Sequence, residues 1–168
     1  MCCIKYLAAS AALVIGFALP LPALAAVAHP TDQRRSLSLF NTHTREKLDV
    51  CYARGESYRP EALSAVNHIL RDHRTNEVNP IDPRLLDLLC AIRSKAGPDA
   101  CLHIISGYRS PGTNRRLRQQ GRGVARKSLH MQGHAADIRI PGLATSRLRR
   151  MALTLRQGGV GYYPQSDF

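Results

Sequence analysis

Apolar and polar positions alternate in short blocks along most of this chain, and each block length points to an element. The stretch 36–40 (SLSLF) and the stretch 48–53 flank the polar segment 41–47, a pattern that predicts a β-hairpin. Pro60 and Glu61 then open a segment in which Leu63, Val66, Ile69 and Leu70 recur at helical spacing. Asp82-Pro83 places an acceptor at an N-cap and proline at the first helical position. Leu85, Leu86, Leu88, Leu89 and Ile92 supply that helix's buried face, and Gly97 is placed to end it. Residues 102–105 predict a short apolar strand, with Gly107 at a bend and Pro111-Gly112 at a second turn. A short, very basic helix is expected over 113–120 and a strand over 135–140. Thr145 or Ser146 is placed to cap a last helix through Leu148, Met151, Leu153 and Leu155, ended by Gly158-Gly159; 160–163 starts one more strand. Early helices, a hairpin and late strands make an α+β domain.

One block does not fit that domain. Lys5 precedes an apolar, uncharged run from Leu7 to Leu24, followed by small residues at 23–25 and 26–28. This is the build of a secretory leader, expected over 1–25 with cleavage after 28 as an alternative. The run is about long enough to span a bilayer, so an N-terminal anchor is the competing reading; Pro20 and Pro22 interrupt it. Cys2 and Cys3 precede the run rather than follow it, which is not the arrangement of a lipid attachment point. Export to the periplasm, without a lasting membrane anchor, is the expectation. The remaining chain, 29–168, suits a single domain, expected to be a monomer.

The 168 residues carry a formal charge of +12, and removal of 1–25 takes away one lysine and no acid, leaving +11. Such a surface favours anionic partners. Export argues against nucleic acid and leaves acidic lipid and cell-wall polymer. Cys51, Cys90 and Cys101 would remain after cleavage. An oxidising compartment permits one disulfide among them, Cys90 with Cys101 being the natural pair to consider, but the sequence leaves the connectivity open. Their spacing matches no zinc-site pattern.

The chemistry-bearing segment is 128–137, SLHMQGHAAD. A neutral imidazole and a carboxylate both ligate zinc, and the glycine and alanines between His130 and Asp137 let a loop bring the two together beside an incoming strand. Spacing alone is weak evidence and favours the plainer reading, an exposed histidine and a strand-edge aspartate. The pattern S-x-H-x-x-G-x-A-x-D, however, resembles the signature of the M15-like D,D-peptidases and murein endopeptidases. Residues 106–111 (SGYRSP) are similar to the arginine segment that precedes it there. Residues 67–74 (NHILRDHR), 81–83 (IDP) and 158–164 (GGVGYYP) resemble blocks of the murein endopeptidase K-like branch, in matching order from about Ser36 to Phe168.

The resemblance implies a small hedgehog/D,D-peptidase-like domain with a central, mostly antiparallel sheet flanked by helices. It implies an exported zinc metallopeptidase cutting the peptide cross-links of peptidoglycan. His130 and Asp137 would be two zinc ligands, and Arg109 would lie beside the substrate, holding an oxyanion or a carboxylate. Ser128 is a substrate-side candidate or a local turn residue. The family's third ligand, a second histidine on a strand, is expected beyond Phe168. Without it, His134, His103 and Asp167 are the candidate substitutes, none at a family ligand position, and a catalytically inactive peptidoglycan-binding domain is the alternative function. His68, Asp72 and His73 form a further polar group, read as a structural hydrogen-bond network.

Overall fold

The computed structural model describes residues 2–5, 33–121 and 123–163. Among the described residues, seven strands form one mixed sheet with four helices, the α+β class expected. Strands β2 (Arg34–Asn41) and β3 (Lys47–Arg54) make the expected hairpin, and a two-residue strand, β4 (Ser57–Tyr58), extends it. Helices α1 (Pro60–Ile69) and α2 (Pro83–Ala96) follow. Strand β5 (Leu102–Ser106), helix α3 (Pro111–Gln119), a 3-10 turn (Leu129–Gln132), β6 (Ala135–Arg139), α4 (Thr145–Thr154) and β7 (Gly159–Tyr162) complete the order. Strand β5 joins β2 in parallel; every other pairing is antiparallel.

Period-2 side chains divide the sheet into two faces. Leu37, Leu39, Leu102, Ile104, Ala136 and Ile138 lie on the buried face under the helices, with Leu85, Leu86, Leu89 and Ile92 of α2 opposite them. The other face carries Phe40, His103, Asp137 and Arg139, and Phe40, His103 and Arg139 line an open groove there. Caps follow the sequence closely at α2, where the Asp82 carboxylate accepts from the Arg84 N–H at 2.9 Å. Helix α3 starts at Pro111, two residues before its expected start, because Ser110 accepts from the Thr113 N–H at 3.3 Å and proline fits the first turn. Helix α4 departs from expectation: Ala144 sits at the N-cap with no side-chain bond, and Thr145 is already inside the helix.

Two further findings alter the sequence reading. Cys51, Cys90 and Cys101 are free thiols. Cys90 faces the Ser36 carbonyl from α2, whereas Cys101 lines the open face, so the sheet stands between the two sulfurs. The expected leader lies outside the described residues except for Cys2–Lys5, which forms a strand, β1, seated between β6 and β7. Cys2 and Ile4 there are fully buried. Among the described residues no helix is long and apolar enough to cross a membrane.

Candidate metal centre

Two loops and a strand converge at the end of β5. Gly107 leaves β5 so close to Leu70 that a β-carbon would collide with its carbonyl oxygen, and the Tyr108 N–H donates to that oxygen at 2.7 Å. From there the Arg109 N–H donates to the His130 carbonyl at 3.1 Å, lacing the arginine loop to the 3-10 turn. Gly133 closes that turn with φ +70°, and a side chain there would strike the Pro80 carbonyl. Its own carbonyl accepts from the Asp82 N–H at 3.1 Å, so the turn is pinned to the start of α2.

These constraints fix His130. It is buried, and its Nδ1 lies 2.8 Å from the Gly107 carbonyl. A carbonyl only accepts, so Nδ1 carries the proton and Nε2 presents a lone pair, the tautomer that metal ligation needs. Nε2 faces Asp137 Oδ2 at 3.6 Å. Burial pushes the Asp137 carboxyl up, but the His130 imidazole, then Cys3 and the Arg109 guanidinium, more than offset it, and the group is held below its usual range. Arg109 places Nη2 at 4.0 Å from the same carboxylate oxygen and 3.4 Å from Ser106 Oγ, while its Nε is buried with no hydrogen-bond partner.

The third donor comes from an unforeseen place. Cys3 on β1 lies opposite Asp137 in register and brings Sγ to 3.7 Å from His130 Nε2. One donor atom each from Cys3, His130 and Asp137 falls within a 4.8 Å span. That set fits a divalent, borderline-soft ion, since imidazole, thiolate and carboxylate are all zinc donors. The three substitutes considered from sequence do not join it. His134 turns to Asp82, 3.6 Å away at the head of α2, as expected for a neighbour on the opposite side. His103 lies farther along the open face, and Asp167 is outside the described residues. Ser128 is buried and closes the 3-10 turn through its carbonyl, which accepts from the Met131 N–H at 3.0 Å; its side chain makes no cap bond. Cys3 escaped the sequence reading because CCIK offers no ligand spacing and its partners lie more than 120 residues away.

Asp72 settles the polar group after α1. Its carboxylate accepts from the Arg74 N–H and the Ser110 N–H, both at 2.9 Å, so it braces the arginine loop from behind.

Fold and candidate site are those of an α+β domain with a buried group that could hold a metal ion, and the comparisons place it among the M15 peptidases. The chain belongs to the M15 peptidase family described as "Peptidoglycan L,D-endopeptidase MepK", whose model matches residues 29–168. It is 45% identical over 150 residues to the peptidoglycan L,D-endopeptidase MepK of Escherichia coli (strain K12), covering 89% of this chain and 81% of the relative. The protein of that name from Shigella flexneri matches equally well. A probable peptidoglycan L,D-endopeptidase MepK of Haemophilus influenzae is 39% identical over 151 residues, 89% of this chain and 80% of its own. No solved structure matches the chain. Membership of this family implies a metal cofactor.

Proposed function

We propose that this chain is an exported, periplasmic zinc endopeptidase that hydrolyses peptide cross-links of peptidoglycan, of the L,D class for which its relatives are named. The observation that carries the reading is His130 itself: its Nδ1 proton is committed to Gly107, so Nε2 is free to ligate beside the Asp137 carboxylate. His130 and Asp137 would hold the ion. Cys3, on the strand between β6 and β7, offers a third donor that leader cleavage would remove, and the family's own third ligand, a histidine, is expected beyond Phe168. When bound, zinc would polarise the amide carbonyl and lower the pKa of a ligated water towards neutrality.

The protein's own groups supply positioning. Arg109 is held by the loop that Asp72 and His130 brace, and its guanidinium lies beside the Asp137 carboxylate, Nη2 4.0 Å from Oδ2, where it would meet a substrate oxygen. A guanidinium there stabilises negative charge that develops on the carbonyl oxygen during attack. The cationic surface favours residence on an anionic wall.

Zinc content by equilibrium dialysis and digestion of purified sacculi test the reading together. The parent chain should bind one zinc and release muropeptides; His130→Ala should lose both while still unfolding cooperatively. Arg109→Gln should keep the zinc and lose turnover by roughly 100-fold, the scale of one oxyanion donor. A parent chain that holds sacculi with chelator present, yet never cleaves them with zinc supplied, would instead be an inactive wall-binding domain.

A further inference from the structure

The open face of the sheet continues past the metal centre as a groove of about 830 Å³. Arg45, Lys47, His103 and Arg139 line it, with Asp49 the one acid among its lining residues. Arg139 stands two residues beyond Asp137 on the same face of β6, about 7 Å along the strand. Ile105, at the near end, adjoins Ser106, which pairs with Asp137 and contacts Arg109. The groove's lining thus reaches the residues that adjoin the metal centre along β5 and β6.

Two features mark the groove as built for a ligand. Arg45 is a non-glycine residue held at φ +66°, a conformation that costs on the order of 1–2 kcal/mol, with its guanidinium 5.1 Å over the Phe40 ring. His103 has Nδ1 buried without a hydrogen-bond partner. Burial lowers the pKa of His103, and the charges of Arg139, Arg45 and Lys47 lower it further, which reports the positive potential of the groove.

We propose that this groove binds the free carboxylates of the acidic peptide bearing the scissile amide, pairing them with Arg45 and Arg139 beside the His103 ring. The hairpin turn sets Arg45, whose N–H donates to the Asn41 carbonyl at 2.9 Å, and Lys47 adds a second cation to the lining. The proposal rests on the peptidase reading for its choice of peptide but not for its physics. It makes the groove a specificity element: substrate acidity is read on the sheet, and cleavage takes place at its end.

Binding of a soluble muropeptide with free carboxylates and of its fully amidated counterpart, both with chelator present, tests this without turnover. The parent chain should prefer the free acid by about tenfold, the ratio two partly exposed ion pairs supply. Arg45→Gln/Arg139→Gln should bind both forms equally, with the parent's zinc content and unfolding midpoint. Equal binding of the two forms by the parent, or an undiminished preference in the double variant, would overturn the proposal. So would displacement of the free acid by inorganic phosphate at equal concentration, which would make the groove a general anion surface. A preserved preference in a chain that never cleaves sacculi would sink the peptidase reading and leave the groove assignment standing.

Discussion

His73 stacks on His43 with ring centroids 3.7 Å apart and nearly parallel planes. Burial, then the charges of Arg74 and His43, hold its pKa down at about 4 against the pull of Asp72. An unfolded chain protonates this residue near pH 6.5. Between those values the unfolded state binds more protons, so stability falls as pH drops from about 6.5 to about 4. Asp72 continues the decline. Burial pushes it up, but bonds from Thr113, Arg74 and Ser110 bring it down to about 2, so its contribution is present above about pH 4 and is lost as pH falls towards 2. Urea midpoints measured across this range should therefore fall in two stages. His73→Gln should flatten the upper one; a parent-like slope in that variant would refute the assignment.

The elements differ in how plainly the sequence announces them. Helix α2 was legible from Asp82-Pro83, five apolar residues at helical spacing and Gly97, all local signals, and it runs Pro83–Ala96 as read. The hairpin β2–β3 was legible from alternation around a polar turn. Strand β4 was not, since two residues carry no periodicity, and the 3-10 turn 129–132 is defined by tertiary bonds to Arg109 and Asp82 rather than by composition. Within the site, His130 and Asp137 were readable because a motif names them. The bracing of the arginine loop by Asp72 was not, because it joins segments 38 residues apart through the Ser110 N–H. Gly133 shows what the turn depends on. Gly133→Ala should cost at least about 1–2 kcal/mol from its left-handed backbone alone, before the collision with Pro80. Thermal unfolding should show the loss, and zinc affinity should weaken with it; a variant as stable as the parent would show that the turn can move off α2.

At the scale of the whole molecule, one strand position joins architecture to chemistry. The place between β6 and β7 is filled by Cys2–Lys5, paired on both sides over four residues and contributing both Ile4 to the core and Cys3 to the donor set. Cleavage after residue 25, expected for an exported protein, would withdraw that strand. The cost includes the burial of Ile4, about 1.5–3 kcal/mol, and two strand edges left facing an empty slot. A chain beginning at residue 26 should accordingly show a lower urea midpoint than the full chain, weaker zinc binding and a tendency to associate through β6 and β7. Adding a synthetic peptide of residues 1–5 should restore part of both losses, because the slot recognises an extended backbone and the cysteine returns a donor. A peptide carrying Cys3→Ser should restore stability but not zinc affinity. That separation would show that the slot does two independent things, closing the sheet by backbone pairing and completing the metal centre by one side chain. Equal rescue of zinc binding by both peptides would remove the thiol from the donor set while leaving the strand's structural role intact.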